Sequence, residues 1–106
     1  MIQVLFEREK FRVTVEGHAH SGEPGKDLVC AGASALAYTL AANAGELVRR
    51  GMLRRAQAQL KSGRAVILCR PKPRFVREVA VAMEAVCLGF SLLSEQFPEF
   101  LSYEEV

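Results

Sequence analysis

The sequence lacks most of the features that announce a chemistry at first sight. Its three cysteines, Cys30, Cys69 and Cys87, show no paired spacing. An odd, unpaired set argues against a disulfide framework and leaves at least one free thiol. Histidine occurs only twice, and neither a Cys-x-x-Cys nor a His-x-x-x-His pair is present, so the usual zinc spacings are missing. The opening residues, MIQVLFEREK, carry no basic segment ahead of an apolar one and no small-residue cleavage site; this is not a signal-peptide pattern. No uninterrupted apolar run approaches the roughly 20 residues that span a bilayer. The expectation is a cytoplasmic protein whose thiols stay reduced. Internal linkers, low-complexity segments and sequence repeats are also lacking, so residues 1–106 are expected to form one domain. The formal charge of +2 is mild and identifies no partner.

What is present is patterned. Half of the residues are apolar, enough for one modest core. Ile2, Val4 and Phe6 alternate with Gln3, Leu5 and Glu7, and Phe11, Val13 and Val15 alternate with Arg12, Thr14 and Glu16. Period two with β-branched and aromatic residues predicts two strands joined as a hairpin. Residues 17–27 break the pattern with glycines and a proline and read as a loop. Asp27 suits an N-cap. From Leu28 to about Arg50, Val29, Ala33, Leu36, Leu40, Ala44 and Leu47 form one apolar helical face. Gly51 then suits the helix end. Residues 54–61 alternate again, Ser62-Gly63 reads as a two-residue turn, and RAVILCR at 64–70 is the return strand. A second helix follows Pro73 and carries Phe75, Val79, Met83, Val86, Phe90, Leu93 and Phe97 at helical spacing, with Pro98 as its stop. The tail from 99 to 106 is either frayed or a short final strand.

This order, ββαββα, predicts an α+β two-layer sandwich. About four strands form a small antiparallel or mixed sheet, with both helices on one face. The basic run RRGMLRR at 49–55 reads as a solvated helix end rather than a docking patch.

Residues 17–34, GHAHSGEPGKDLVCAGAS, gather both histidines and one cysteine. Three readings compete. His18, His20 and Cys30, with Asp27 or water, are possible zinc ligands. The segment is alternatively a plain strand-to-helix loop, with Cys30 as a small buried hydrophobe. In the third reading Cys30 lies in the first helical turn, where unpaired N–H groups and the dipole favour a thiolate. His18, just past the second strand, then folds back as its base, and first-turn N–H groups serve a developing oxyanion. Asp27 either caps the helix or orients His18. Ser34 lies one turn after Cys30 on the same face.

The whole pattern, Gly17-His18-Ala19, then Gly25-x-Asp27-x-Val29-Cys30-Ala31, then Ser34, resembles the signature of the bacterial ribosomal-processing cysteine proteases, the Prp family. The resemblance implies a small cytoplasmic endopeptidase that works as a homodimer without metal or organic cofactor. It implies a precursor of large-subunit ribosomal protein twenty-seven as substrate. The enzyme would remove its N-terminal extension and so support ribosome assembly. Carried over by position, Cys30 is the nucleophile and His18 the general base, with Gly17, Asp27 and Ser34 supporting; His20 is not the matching histidine. The glycine-containing loop would close over bound peptide. No membrane and no direct nucleic-acid contact are expected. The competing class is a non-catalytic dimeric module that binds the ribosome or an assembly factor.

Overall fold

The computed structural model describes residues 1–18 and 24–106, with side chains at all of these except 24–27. Five strands and two helices follow the chain as β1 (Ile2–Glu7), β2 (Arg12–Glu16), α1 (Pro24–Arg49), β3 (Leu53–Lys61), β4 (Arg64–Pro71), α2 (Val76–Gln96) and β5 (Leu101–Glu105). They build one mixed sheet in the order β3-β4-β2-β1-β5. All neighbours are antiparallel except β1 and β5, which run parallel.

The α+β two-layer expectation holds, with a fifth strand added to the ββαββα order. In β5, Leu101 is buried and Tyr103 half-buried, while Ser102, Glu104 and Glu105 are exposed. This short alternation needs β1 beside it to make a strand, and Leu101 faces Ile2 across the pair. The sequence of the tail carries no such neighbour information.

One face of the sheet is apolar. Ile2, Val4, Phe6, Val13, Ile67 and Cys69 point into the core, as period-two alternation requires. Both helices cover that face. From α1 come Val29, Ala33, Ala37, Leu40, Ala44 and Leu47; from α2 come Val79, Met83, Cys87 and Phe90. Each fully buried large side chain stabilises the fold by about 1.5–3 kcal/mol. The two helices touch closely. A β-carbon on Gly89 would lie 2.6 Å from Leu36 Cδ2, so a glycine there sets the helix spacing. By length and composition alone, Leu28–Arg49 is apolar enough to cross a membrane, with a mean hydropathy of 1.3. The segment carries no charge over residues 28–45, and it is Ser34, Thr39, Asn43 and the glycines that break it as an uninterrupted apolar run. Its sheet-facing residues are nevertheless packed into the core described here.

α1 starts earlier than the composition indicates. Pro24 and Gly25 read as loop residues, yet proline is well suited to a first helical turn, where its missing N–H costs nothing. Asp27 is accordingly the fourth helical residue and not the N-cap. The far end matches expectation. Gly51 has φ +73°, its N–H donates to the Val48 carbonyl, and the Met52 N–H donates to the Leu47 carbonyl. These bonds close the helix through a left-handed glycine.

Candidate active site

The site begins where β2 ends. Gly17 has φ +102°, and a β-carbon on it would collide with the Met1 carbonyl oxygen. Only glycine fits this close approach. The Gly17 N–H donates to the Gly63 carbonyl at 2.9 Å, tying the end of β2 to the β3–β4 turn. The next residue, His18, accepts a 2.9 Å hydrogen bond on its carbonyl from the Met1 amine. Its ring lies over the turn, since a β-carbon on Gly63 would sit 2.6 Å from His18 Nε2. Gly63 itself has φ +78°. Glycine therefore serves both the turn and the imidazole above it.

α1 supplies the facing wall. Cys30 is half-buried at the edge of the core, next to fully buried Val29. Ser34 lies one helical turn on, followed by Ala37 and Tyr38. Between this helix and the end of β2 runs a cleft of about 390 Å³, whose lining includes Gly17, His18, Cys30, Ser34, Tyr38 and Gly63. The structure thus brings Gly17, His18, Cys30 and Ser34 to one cavity. His20 lies outside the described residues, as does the side chain of Asp27, so neither the zinc set nor an Asp27–His18 contact can be placed. Among the described residues, no three His, Cys, Asp or Glu side chains form a metal-binding group.

One expectation is corrected. With α1 starting at Pro24, Cys30 is its seventh residue and not part of the first turn. Its N–H lies within the i→i−4 ladder. The dipole effect fades beyond the first turn. Neither thiolate stabilisation nor an oxyanion donor follows from a helix start at Cys30.

The β3–β4 turn is the part of the site that sequence reasoning missed. Ser62-Gly63 was legible as a turn, but only sheet register carries it to His18. The remaining cysteines differ sharply from Cys30. Cys69 and Cys87 are buried, and burial pushes each thiol up to about 11.

The family model for the cysteine protease Prp matches residues 1–102. The chain belongs to the Prp family of cysteine proteases. Membership makes it a hydrolase of peptide bonds and sets aside the non-catalytic module. Solved structures agree in fold. The crystal structure of SMU.848 from Streptococcus mutans is 28% identical, with a TM-score of 0.69, covering 100% of this chain and 94% of that one. An essential ribosomal processing protease Prp from Staphylococcus aureus, in complex with a covalently linked product peptide, is 24% identical. Its TM-score is 0.72, with both chains fully covered. The same protease with a substrate peptide aligns at 20% identity and a TM-score of 0.69, again over all of both chains. Comparison with curated proteins finds no match.

Proposed function

We propose that this Prp-family protease removes the N-terminal extension of large-subunit ribosomal protein twenty-seven by Cys30/His18 covalent catalysis. The observation that carries this reading is the shared cleft: the signature's cysteine and its His18 line it together. The names of the Staphylococcus aureus relatives, a ribosomal processing protease with product and substrate peptides, support the substrate class.

The reaction runs in two halves. The His18 imidazole takes the proton of Cys30, and the sulfur attacks the scissile carbonyl. As the tetrahedral adduct collapses, the C–N bond breaks and His18 returns the proton to the leaving amine. A thioester on Cys30 remains. Water, deprotonated by His18, then attacks it and releases the second product with the thiol restored. The Gly17–Gly63 hydrogen bond and the Met1 amine hold the His18 backbone in place, which reduces the freedom lost on reaching the reactive geometry. Ser34 lines the cleft beside the nucleophile. The enzyme acts in the cytoplasm as a homodimer.

The test is incubation with the full-length precursor and determination of the new N-terminus by mass spectrometry. A single cut behind the extension, lost in Cys30→Ala, supports the assignment. An uncut precursor in the presence of active enzyme, scored on other peptides, refutes the substrate.

A further inference from the structure

Between Glu46 and Glu78 the chain contains no acidic residue, yet ten of its fourteen lysines and arginines fall there. Four cations and all twelve carboxylates occupy the rest. The fold concentrates this asymmetry. The end of α1, the start of β3, the end of β4 and the start of α2 meet at one end of the molecule. There Leu53 faces Pro71, and the Lys72 N–H donates to the Met52 carbonyl at 2.9 Å. Of the ten cations, all except Lys61 and Arg64 lie at this end, and every one is exposed.

Their placement is unfavourable for the isolated chain. Arg55 stands directly opposite Arg70 across the antiparallel β3–β4 pair, and like charges in that relation repel. Arg74 and Arg77 flank the start of α2, where the helix dipole is positive. Glu46 pairs with Arg49 and Arg50. Among the described residues, no carboxylate pairs with the other six cations of this end. Arg74 instead lies over the Phe75 ring at 5.1 Å. Beside Arg55 and Arg70, the helix-free face of the sheet forms a hollow of about 560 Å³. Gln57 and Gln59 line it, with Leu68 and Val66 among its apolar residues. Concentrated positive charge beside amide donors and acceptors matches a phosphate backbone with its sugar hydroxyls. β3 runs about 25 Å from this end to the cleft at roughly 3.3 Å per residue; the far end of the hollow shares Arg64 with the cleft, so it is an occupant held at the Arg55–Arg70 end that leaves the cleft free.

We propose that the basic end of the β3–β4 hairpin is an RNA-binding surface that holds the protease on ribonucleoprotein while the cleft works on its protein substrate. The anionic partner follows from the charge arrangement. The choice of RNA among polyanions rests on the reading of the substrate as a ribosomal precursor. RNA contact also reverses the expectation drawn from the sequence, in which the 49–55 run was only a solvated helix end.

The experiment is fluorescence anisotropy with a labelled single-stranded RNA of about 20 nucleotides, using Cys30→Ala protein so that cleavage plays no part. Binding is expected at about 50 mM salt and should weaken steeply toward about 200 mM. The triple variant R54Q/R55Q/R70Q should lose about tenfold or more in affinity. Its salt slope should fall by about 2, as expected for three lost phosphate contacts. It should melt at or above the parent temperature, since a repelling pair is removed. If it melts early, R70Q alone gives the same reading with a smaller loss. In the Cys30-containing protein the triple substitution should leave peptide turnover unchanged. The acidic-edge control E99Q/E104Q should bind RNA within about twofold of the parent. The proposal is overturned by absent binding at low salt, or by a triple variant within about twofold of the parent. Equal affinity for polyglutamate would assign the surface to an acidic protein. Self-association abolished by the triple variant and indifferent to RNA would assign it to a second copy. None of these outcomes bears on cleavage of the precursor, which is measured separately.

Discussion

Cys30 and Cys87 both sit on helices, yet the fold gives them opposite lives. Cys87 faces the sheet among Val79, Met83 and Phe90, and its thiol is pushed up to about 11, mainly by burial. Cys69 is sealed in the same core from the sheet side, with the same shift and the same cause. Cys30 lies at the open end of that core, half-exposed, with a histidine on the opposite wall of a cleft. Sulfur chemistry is common to all three; access and a base are not. A neutral buried thiol packs as a small hydrophobe, whereas reaction needs a thiolate that a substrate can reach.

The sharpest way to break this contrast is Cys30→Ala. It should abolish precursor cleavage, a loss of about 1,000-fold or more in kcat/KM, while far-ultraviolet circular dichroism and Tm stay near the parent. His18→Ala is expected to cost about 100-fold or more in kcat, against a much smaller loss for His20→Ala; steady-state kinetics of the two variants decide between them. Iodoacetamide near neutral pH, followed by peptide mapping, should label Cys30 and spare Cys69 and Cys87 until the protein is unfolded. Truncating the core thiols has the reverse profile. Cys69→Ala or Cys87→Ala should lower stability by about 1–2 kcal/mol through lost packing, measured by urea denaturation, and leave turnover intact.

The smallest effect concerns alkaline pH. The folded state holds the protons of Cys69 and Cys87 to about 11, above the ordinary thiol value of 9.0. The unfolded chain therefore releases protons first. Stability contributed by these groups is complete below about 9 and declines as pH rises toward 11. Denaturation midpoints across that window should fall more steeply in the parent than in the Cys69→Ala/Cys87→Ala double variant.

Much of this organisation is legible in the sequence because it is local. Period-two alternation marks β1, β2 and β3, and the Val29-to-Leu47 stripe marks the buried face of α1. The Gly17-His18 and Cys30-to-Ser34 clusters mark the two walls of the cleft. What escapes is what depends on distant partners. β5 becomes a strand only because β1 lies beside it. The β3–β4 turn joins the site only through a sheet register that places Gly63 under His18. The start of α1 was misread for a different reason: Pro24 and Gly25 resemble punctuation, and the same proline opens a helix without penalty. That difference of a few residues removes the helix-terminus argument for a reactive Cys30.

The reaction's covalent step offers the most direct measurement. Incubating the protein with an extension-bearing peptide, quenching in acid and mapping the attached mass should locate an acyl group on Cys30, with Cys69 and Cys87 unmodified and no adduct in Cys30→Ala. An acyl group on either core thiol, or undiminished cleavage by Cys30→Ala, would contradict the account.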